Sequence, residues 1–83
     1  MSSSDTLKKV LKKEGLRYTL QRQAIWDELY ASNEHRDAEE IYLALYNSGL
    51  KVSRATVYRT IDVLVKNNLV RKLDLGDGRA RYE

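Results

Sequence analysis

A mainly α domain closed by a small antiparallel β-hairpin is the fold that this 83-residue sequence predicts. Two stretches carry the prediction. Between Ser53 and Leu64, the residues Val57, Ile61 and Leu64 recur at i, i+4 and i+7, the spacing of one helix face. After Asn67-Asn68 helical spacing gives way to alternation. Residues 69–75 and 79–83 read as two strands around Gly76-Asp77-Gly78, whose glycines suit the positive-φ positions of a short hairpin. A helix followed directly by a basic hairpin is the layout of a winged helix-turn-helix, in the order ααα(β)αββ.

The remaining elements follow along the chain. Met1 to Ser4 is expected to fray. Ser4 or Asp5 caps a first helix with Leu7, Val10 and Leu11 as its apolar stripe and Gly15 as its stop. Thr19 caps a second helix running to about Ser32, with Ile25, Trp26 and Leu29 spaced for the core. Trp26 is expected as a core anchor, because a domain this small depends on large rings. Residues 33–36 form a connecting loop. Asp37-Ala38-Glu39-Glu40 has the form of a capping box with Asp in place of Ser or Thr. It opens a third helix through Ser48, with Ala38, Ile41, Tyr42 and Leu45 inward and Gly49 as its end. Lys51-Val52 are expected to add a short strand to the hairpin, and Ser53 to N-cap the fourth helix. The third and fourth helices make the helix-turn-helix pair.

Bulk properties narrow the function. The chain makes one small domain, residues 1–83, near the lower limit for a single hydrophobic core. It carries no long apolar run, hence no expected membrane span, and no signal-peptide pattern. The absence of cysteine removes thiol catalysis and Cys-type zinc sites, and one histidine, His35, cannot make a two-histidine metal motif. No nucleophile–base pair stands out, so an enzyme is not expected. A cytoplasmic binding module is. Net charge is +3, distributed as +4 over residues 1–23, −5 over 24–50 and +4 over 51–83. Basic ends around an acidic middle suit one face turned toward a polyanion and another turned away.

Chemistry concentrates on the fourth helix, residues 53–67. Opposite its apolar stripe fall Ala55, Tyr58, Arg59, Asp62 and Lys66. A small residue there lets the backbone approach the floor of the DNA major groove. Arg59 can fork onto guanine, and the Tyr58 ring can lie against thymine methyls. Asp62, at i+3 from Arg59 and i−4 from Lys66, is placed to restrain either side chain. In the wing, residues 69–83, Arg71, Arg79 and Arg81 alternate and would present guanidinium groups to phosphates from one side of the ribbon. A protein–protein docking module is the competing reading, since winged helices serve both ends. Docking needs an exposed apolar patch, whereas Arg17, Arg59, Arg71, Arg79 and Arg81 are expected to converge.

Four segments carry a family resemblance. Residues Gly15 to Arg22 (GLRYTLQR), Ala38 to Tyr42 (AEEIY), Ala55 to Arg59 (ATVYR) and Gly76 to Glu83 (GDGRARYE) resemble the DNA-binding domain of the ferric uptake regulator (Fur) family. The match runs in order from Gly15 to the last residue, and the ATVYR segment is its most specific part. The resemblance implies a bacterial metal-responsive repressor that binds double-stranded, A·T-rich operators. The full-length form is expected to be a homodimer and this domain alone a monomer. It also implies that a dimerisation and metal domain is absent from this chain. By the same resemblance Tyr58 and Arg59 are the base-reading pair and Arg17 reaches the adjacent minor groove, an arginine suiting a narrow A·T-rich groove. Arg22 falls at a phosphate-contacting arginine, and Thr19, Ser53 and Thr56 join the DNA-contact set at the two helix starts. Gln21 departs from the proline common at its position. His35 and Glu83 match part of a regulatory metal site that further residues would complete. A divalent metal (Fe2+, Zn2+ or Mn2+) is therefore expected in the full-length protein, and none in this chain by itself.

Overall fold

The computed structural model describes residues 3–31, 36–74 and 80–82. Four helices precede a two-stranded antiparallel sheet: α1 (Ser3–Lys13), α2 (Leu20–Ala31), α3 (Ala38–Asn47), α4 (Arg54–Lys66), β1 (Lys72–Asp74) and β2 (Ala80–Tyr82). This is the predicted winged helix-turn-helix.

Local chemistry sets the helix boundaries. The Thr19 hydroxyl accepts from the Arg22 amide at 3.2 Å and opens α2. At α3 the capping box is complete: the Asp37 carboxylate accepts from the Glu40 amide at 2.8 Å, and Glu40 Oε1 accepts from the Asp37 amide at 3.2 Å. Ser53 Oγ accepts from the Thr56 amide at 3.1 Å and starts α4. Three helices end the same way. Gly15, Gly49 and Asn68 take φ of 72°, 91° and 62°. The amide one residue further on then reaches back to the helix: Leu16 to Leu11 at 2.8 Å, Leu50 to Leu45 at 3.2 Å, Leu69 to Leu64 at 2.9 Å. This double closure satisfies carbonyls that would otherwise be orphaned and folds an apolar residue back against the core. Gly15→Ala meets no atom within 4 Å but forces a β-carbon into the left-handed region. Urea unfolding should show a loss of about 1–2 kcal/mol from this substitution.

α4 is the centre of the molecule. Val57, Ile61 and Leu64 are fully buried, packed with Leu7 and Leu11 of α1, Ile25, Trp26 and Leu29 of α2, and Ala38, Ile41 and Leu45 of α3. Val70 and Tyr82 extend the same cluster under the wing. Trp26 is a core anchor, as expected. Burial of one face fixes which residues of α4 meet solvent. Ala55, Tyr58, Arg59, Asp62 and Lys66 are all exposed.

Several expectations give way. Ser4 and Asp5 do not cap α1, because the helix already includes Ser3. Lys51 and Val52 form no strand. The outer edge of β2 is taken instead by Arg36, through a bridge in which the Tyr82 amide donates to the Arg36 carbonyl at 2.7 Å and the Arg36 amide returns at 3.4 Å. β1 begins later than its alternating stretch, since the turn at Asn68 first sets Leu69 and Val70 down on the core. Register pairs Lys72 with Tyr82, Leu73 with Arg81 and Asp74 with Ala80. The expected Gly76-Asp77-Gly78 turn and Arg79 lie outside the described residues.

Candidate nucleic-acid interface

The starts of α2 and α4 meet at one cleft of about 300 Å³, lined by Thr19, Gln21, Arg22, Lys51, Val52, Ser53 and Thr56. Four residues of the expected DNA-contact set, Thr19, Arg22, Ser53 and Thr56, come together here. A helix start carries unpaired amides and the positive end of the helix dipole, so two of them at one cleft favour anions there. Lys51, expected in a strand, adds a cation here instead. Ser53 and Thr56 hold each other in place, the Ser53 hydroxyl donating to Thr56 Oγ1 at 2.9 Å.

Arg22 has a second role. Its Nη1 donates to the Arg17 carbonyl at 2.7 Å, so part of this guanidinium fixes the loop before α2. The same loop is held from its other side. Tyr18 donates its hydroxyl to Gln23 Oε1 at 2.7 Å, Gln23 donates to Asp27 at 2.7 Å, and Lys8 Nζ sits 4.9 Å from the Tyr18 ring centroid. Arg17 is thus exposed on a loop pinned by its neighbours.

On α4 itself, Arg59 lines a cleft with Glu14, Leu16, Asp62, Val63 and Lys66. Among the described residues Arg59 makes no hydrogen bond or ion pair, and Asp62 restrains neither Arg59 nor Lys66. The Lys66 ammonium reaches Glu14 Oε1 at 3.0 Å instead. That hydrogen bond holds the Glu14 carboxyl below its ordinary pKa, with Asn67 adding to the effect. At the other end of α4, Arg54 forks onto Glu39, Nη2 to Oε1 at 2.8 Å and Nε to Oε2 at 3.0 Å, while its guanidinium carbon lies 4.3 Å from the Tyr42 ring centroid. The pairing lowers the Glu39 pKa and raises that of Arg54. Neither Glu39 nor Arg54 stands out from sequence, because an ion pair fifteen residues apart leaves no local pattern.

In the wing, Arg71 is exposed just before β1, and the backbone of Arg81 lies in β2 opposite Leu73. Burial raises the pKa of Tyr82, with Asp62 and Tyr58 of α4 contributing. The wing's last strand packs against α3, with Tyr82 buried in the core.

The family model for the ferric uptake regulator family matches residues 13–83. The chain belongs to this family. The Fur-type match extends to individual proteins. The ferric uptake regulation protein of Rhizobium leguminosarum bv. viciae is 37% identical over 78 residues, covering 94% of this chain and 55% of the relative. The peroxide-responsive repressor PerR of Staphylococcus epidermidis is 40% identical over 73 residues, covering 88% and 49%. Among solved structures, the Helicobacter pylori ferric uptake regulator Fur superposes with a TM-score of 0.84 at 32% identity, covering 95% of this chain and 53% of that one. The chain spans about half the length of the curated relatives it matches. His35 and Glu83, the expected partial metal ligands, lie outside the described residues, and no group of three or more His, Cys, Asp or Glu side chains among the described residues could hold a metal. Nor is any described helix long and apolar enough to cross a membrane.

Proposed function

We propose that these 83 residues are the DNA-reading part of a Fur-type, metal-responsive transcriptional repressor acting in the bacterial cytoplasm. The observation that carries this reading is the exposed face of α4. Burial of Val57, Ile61 and Leu64 leaves Ala55, Tyr58 and Arg59 outward, next to a cleft where two helix starts and two basic residues converge. In this reading α4 enters the major groove, with Arg59 and Tyr58 on base edges. Thr19, Arg22, Ser53 and Thr56 hold phosphate, joined by Lys51. Arg17 reaches the minor groove of an A·T-rich operator, and the wing arginines Arg71, Arg79 and Arg81 rest on the backbone. A homodimer would set two such helices on two half-sites. A divalent metal (Fe2+, Zn2+ or Mn2+) held partly by His35 and Glu83 would bias the arrangement of the two halves.

The test is a titration of the 83-residue chain onto A·T-rich and mixed-sequence duplexes, with and without divalent metal. Without a linked partner there is no avidity, so binding should fall near roughly 10⁻⁴–10⁻⁶ M with steep salt dependence. A preference for the A·T-rich duplex and indifference to metal are expected. Equal affinity for both duplexes would defeat sequence reading. A large gain on adding metal, abolished by His35→Ala, would place the regulation within these residues.

A further inference from the structure

All three basic residues of α4, Arg54, Arg59 and Lys66, are exposed. Two of them are held by carboxylates from other parts of the chain. Arg54 is forked on Glu39 of α3 and covers the Tyr42 ring, while Lys66 is bound by Glu14, which also accepts from Asn67 Nδ2 at 3.4 Å. Arg59, midway between them, has no such partner among the described residues. Arg54 lies one turn before Tyr58 on the same side of the helix, at the edge of the face that would meet DNA.

We propose that Glu39 and Glu14 are specificity-determining residues of the DNA interface. They withhold the cations at both ends of α4 from phosphates and leave Arg59 as the cation of that helix that DNA recruits. The inference rests on the DNA-reading function proposed above. Its physical basis is the difference between two modes of binding. A non-specific complex gains from every cation that finds a phosphate, in any register. A specific complex is fixed in register by base contacts, so an added cation at a helix end gains only where a phosphate already lies within its reach. Freeing Arg54 or Lys66 therefore strengthens the wrong complexes more than the right one. The grip on Arg54 is suited to this task. A bidentate fork combined with a ring contact is harder to exchange for phosphate than a single-contact surface pair.

Glu39→Gln removes the charge and keeps the shape. Fluorescence anisotropy of the 83-residue chain on a mixed-sequence duplex, between about 50 and 200 mM salt, should give a log–log slope steeper by about 0.9. That is an additional loss of about 3.5-fold across this range. The gain at low salt should be smaller on the A·T-rich duplex, so the preference ratio falls. Glu14→Gln should act in the same direction through Lys66. The double variant Glu39→Gln/Arg54→Gln should return slope and ratio to the parent values, which a merely structural clamp would not do. An unchanged slope in Glu39→Gln, an equal gain on both duplexes, or no return in the double variant would overturn the proposal. If the parent chain itself fails to prefer the A·T-rich duplex, it is the DNA-reading function that falls.

Discussion

Ile61→Ala is expected to destabilise the domain by about 2–5 kcal/mol. Ile61 is fully buried on the helix that packs against every other helix, so the cavity left by its missing methyl and methylene groups opens at the centre of the core. Small domains have little stability to spare. At roughly 0.05–0.15 kcal/mol per residue, the loss is a large share of what holds the fold. Each kcal/mol should lower the melting temperature by about 4–8 °C in a domain of this size. Thr60→Val supplies the contrast. Thr60 is equally buried one residue earlier, and its hydroxyl has no hydrogen-bond partner among the described residues. Replacing an unpaired buried hydroxyl by a methyl of similar shape should be neutral or mildly stabilising. A loss of only a few tenths for Ile61→Ala would mean that α4 does not bury this face. The outward placement of Tyr58 and Arg59 would fall with it.

What the sequence disclosed and what it hid divide along the range of the interactions. The apolar face of α4, the Ser53 and Thr19 caps and the Asp37–Glu40 capping box were all legible, since each depends on residues within one or two helical turns. The third left-handed cap was only half legible. Asn67-Asn68 marked a change of pattern, but Asn68 taking a glycine-like φ of 62° is a local choice that Asn tolerates without requiring. The strand pairing misled for a different reason. Lys51-Val52 had the composition of a strand, yet the free edge of β2 is occupied by Arg36, and no local pattern announces a bridge between residues this far apart. Charge followed the same rule. Spacing along α4 placed Asp62 to restrain either Arg59 or Lys66, but Glu14, near in space and far in sequence, holds the Lys66 ammonium. In the candidate site, helix periodicity correctly placed the exposed residues of α4. The cleft joining Thr19 and Arg22 to Ser53 and Thr56, the addition of Lys51, and the tie from Arg22 to the Arg17 carbonyl became visible only in three dimensions.

Arg59→Ala is expected to lose about 1–3 kcal/mol on the preferred duplex and to relax the preference at one base pair. Arg59 is exposed on α4 and makes no hydrogen bond or ion pair among the described residues, so its removal breaks nothing in the free protein. Surface substitutions of this kind usually leave stability within about 0.5 kcal/mol. A measured loss of binding is therefore a property of the interface. The comparison that separates reading from holding is Arg79→Ala, at an arginine proposed above to rest on the DNA backbone. Removing a phosphate-neutralising cation there should weaken all sequences alike and lower the salt slope by about one unit. Arg59→Ala should instead cost far more on the preferred duplex than on a scrambled one, because a guanidinium forked onto a base edge discriminates by its geometry. Binding isotherms for both variants on both duplexes, at two salt concentrations, give the free-energy differences needed. If the two substitutions act indistinguishably on preferred and scrambled DNA, Arg59 neutralises phosphate and does not read a base. The carboxylates at the ends of α4 would then have no reading cation to set apart.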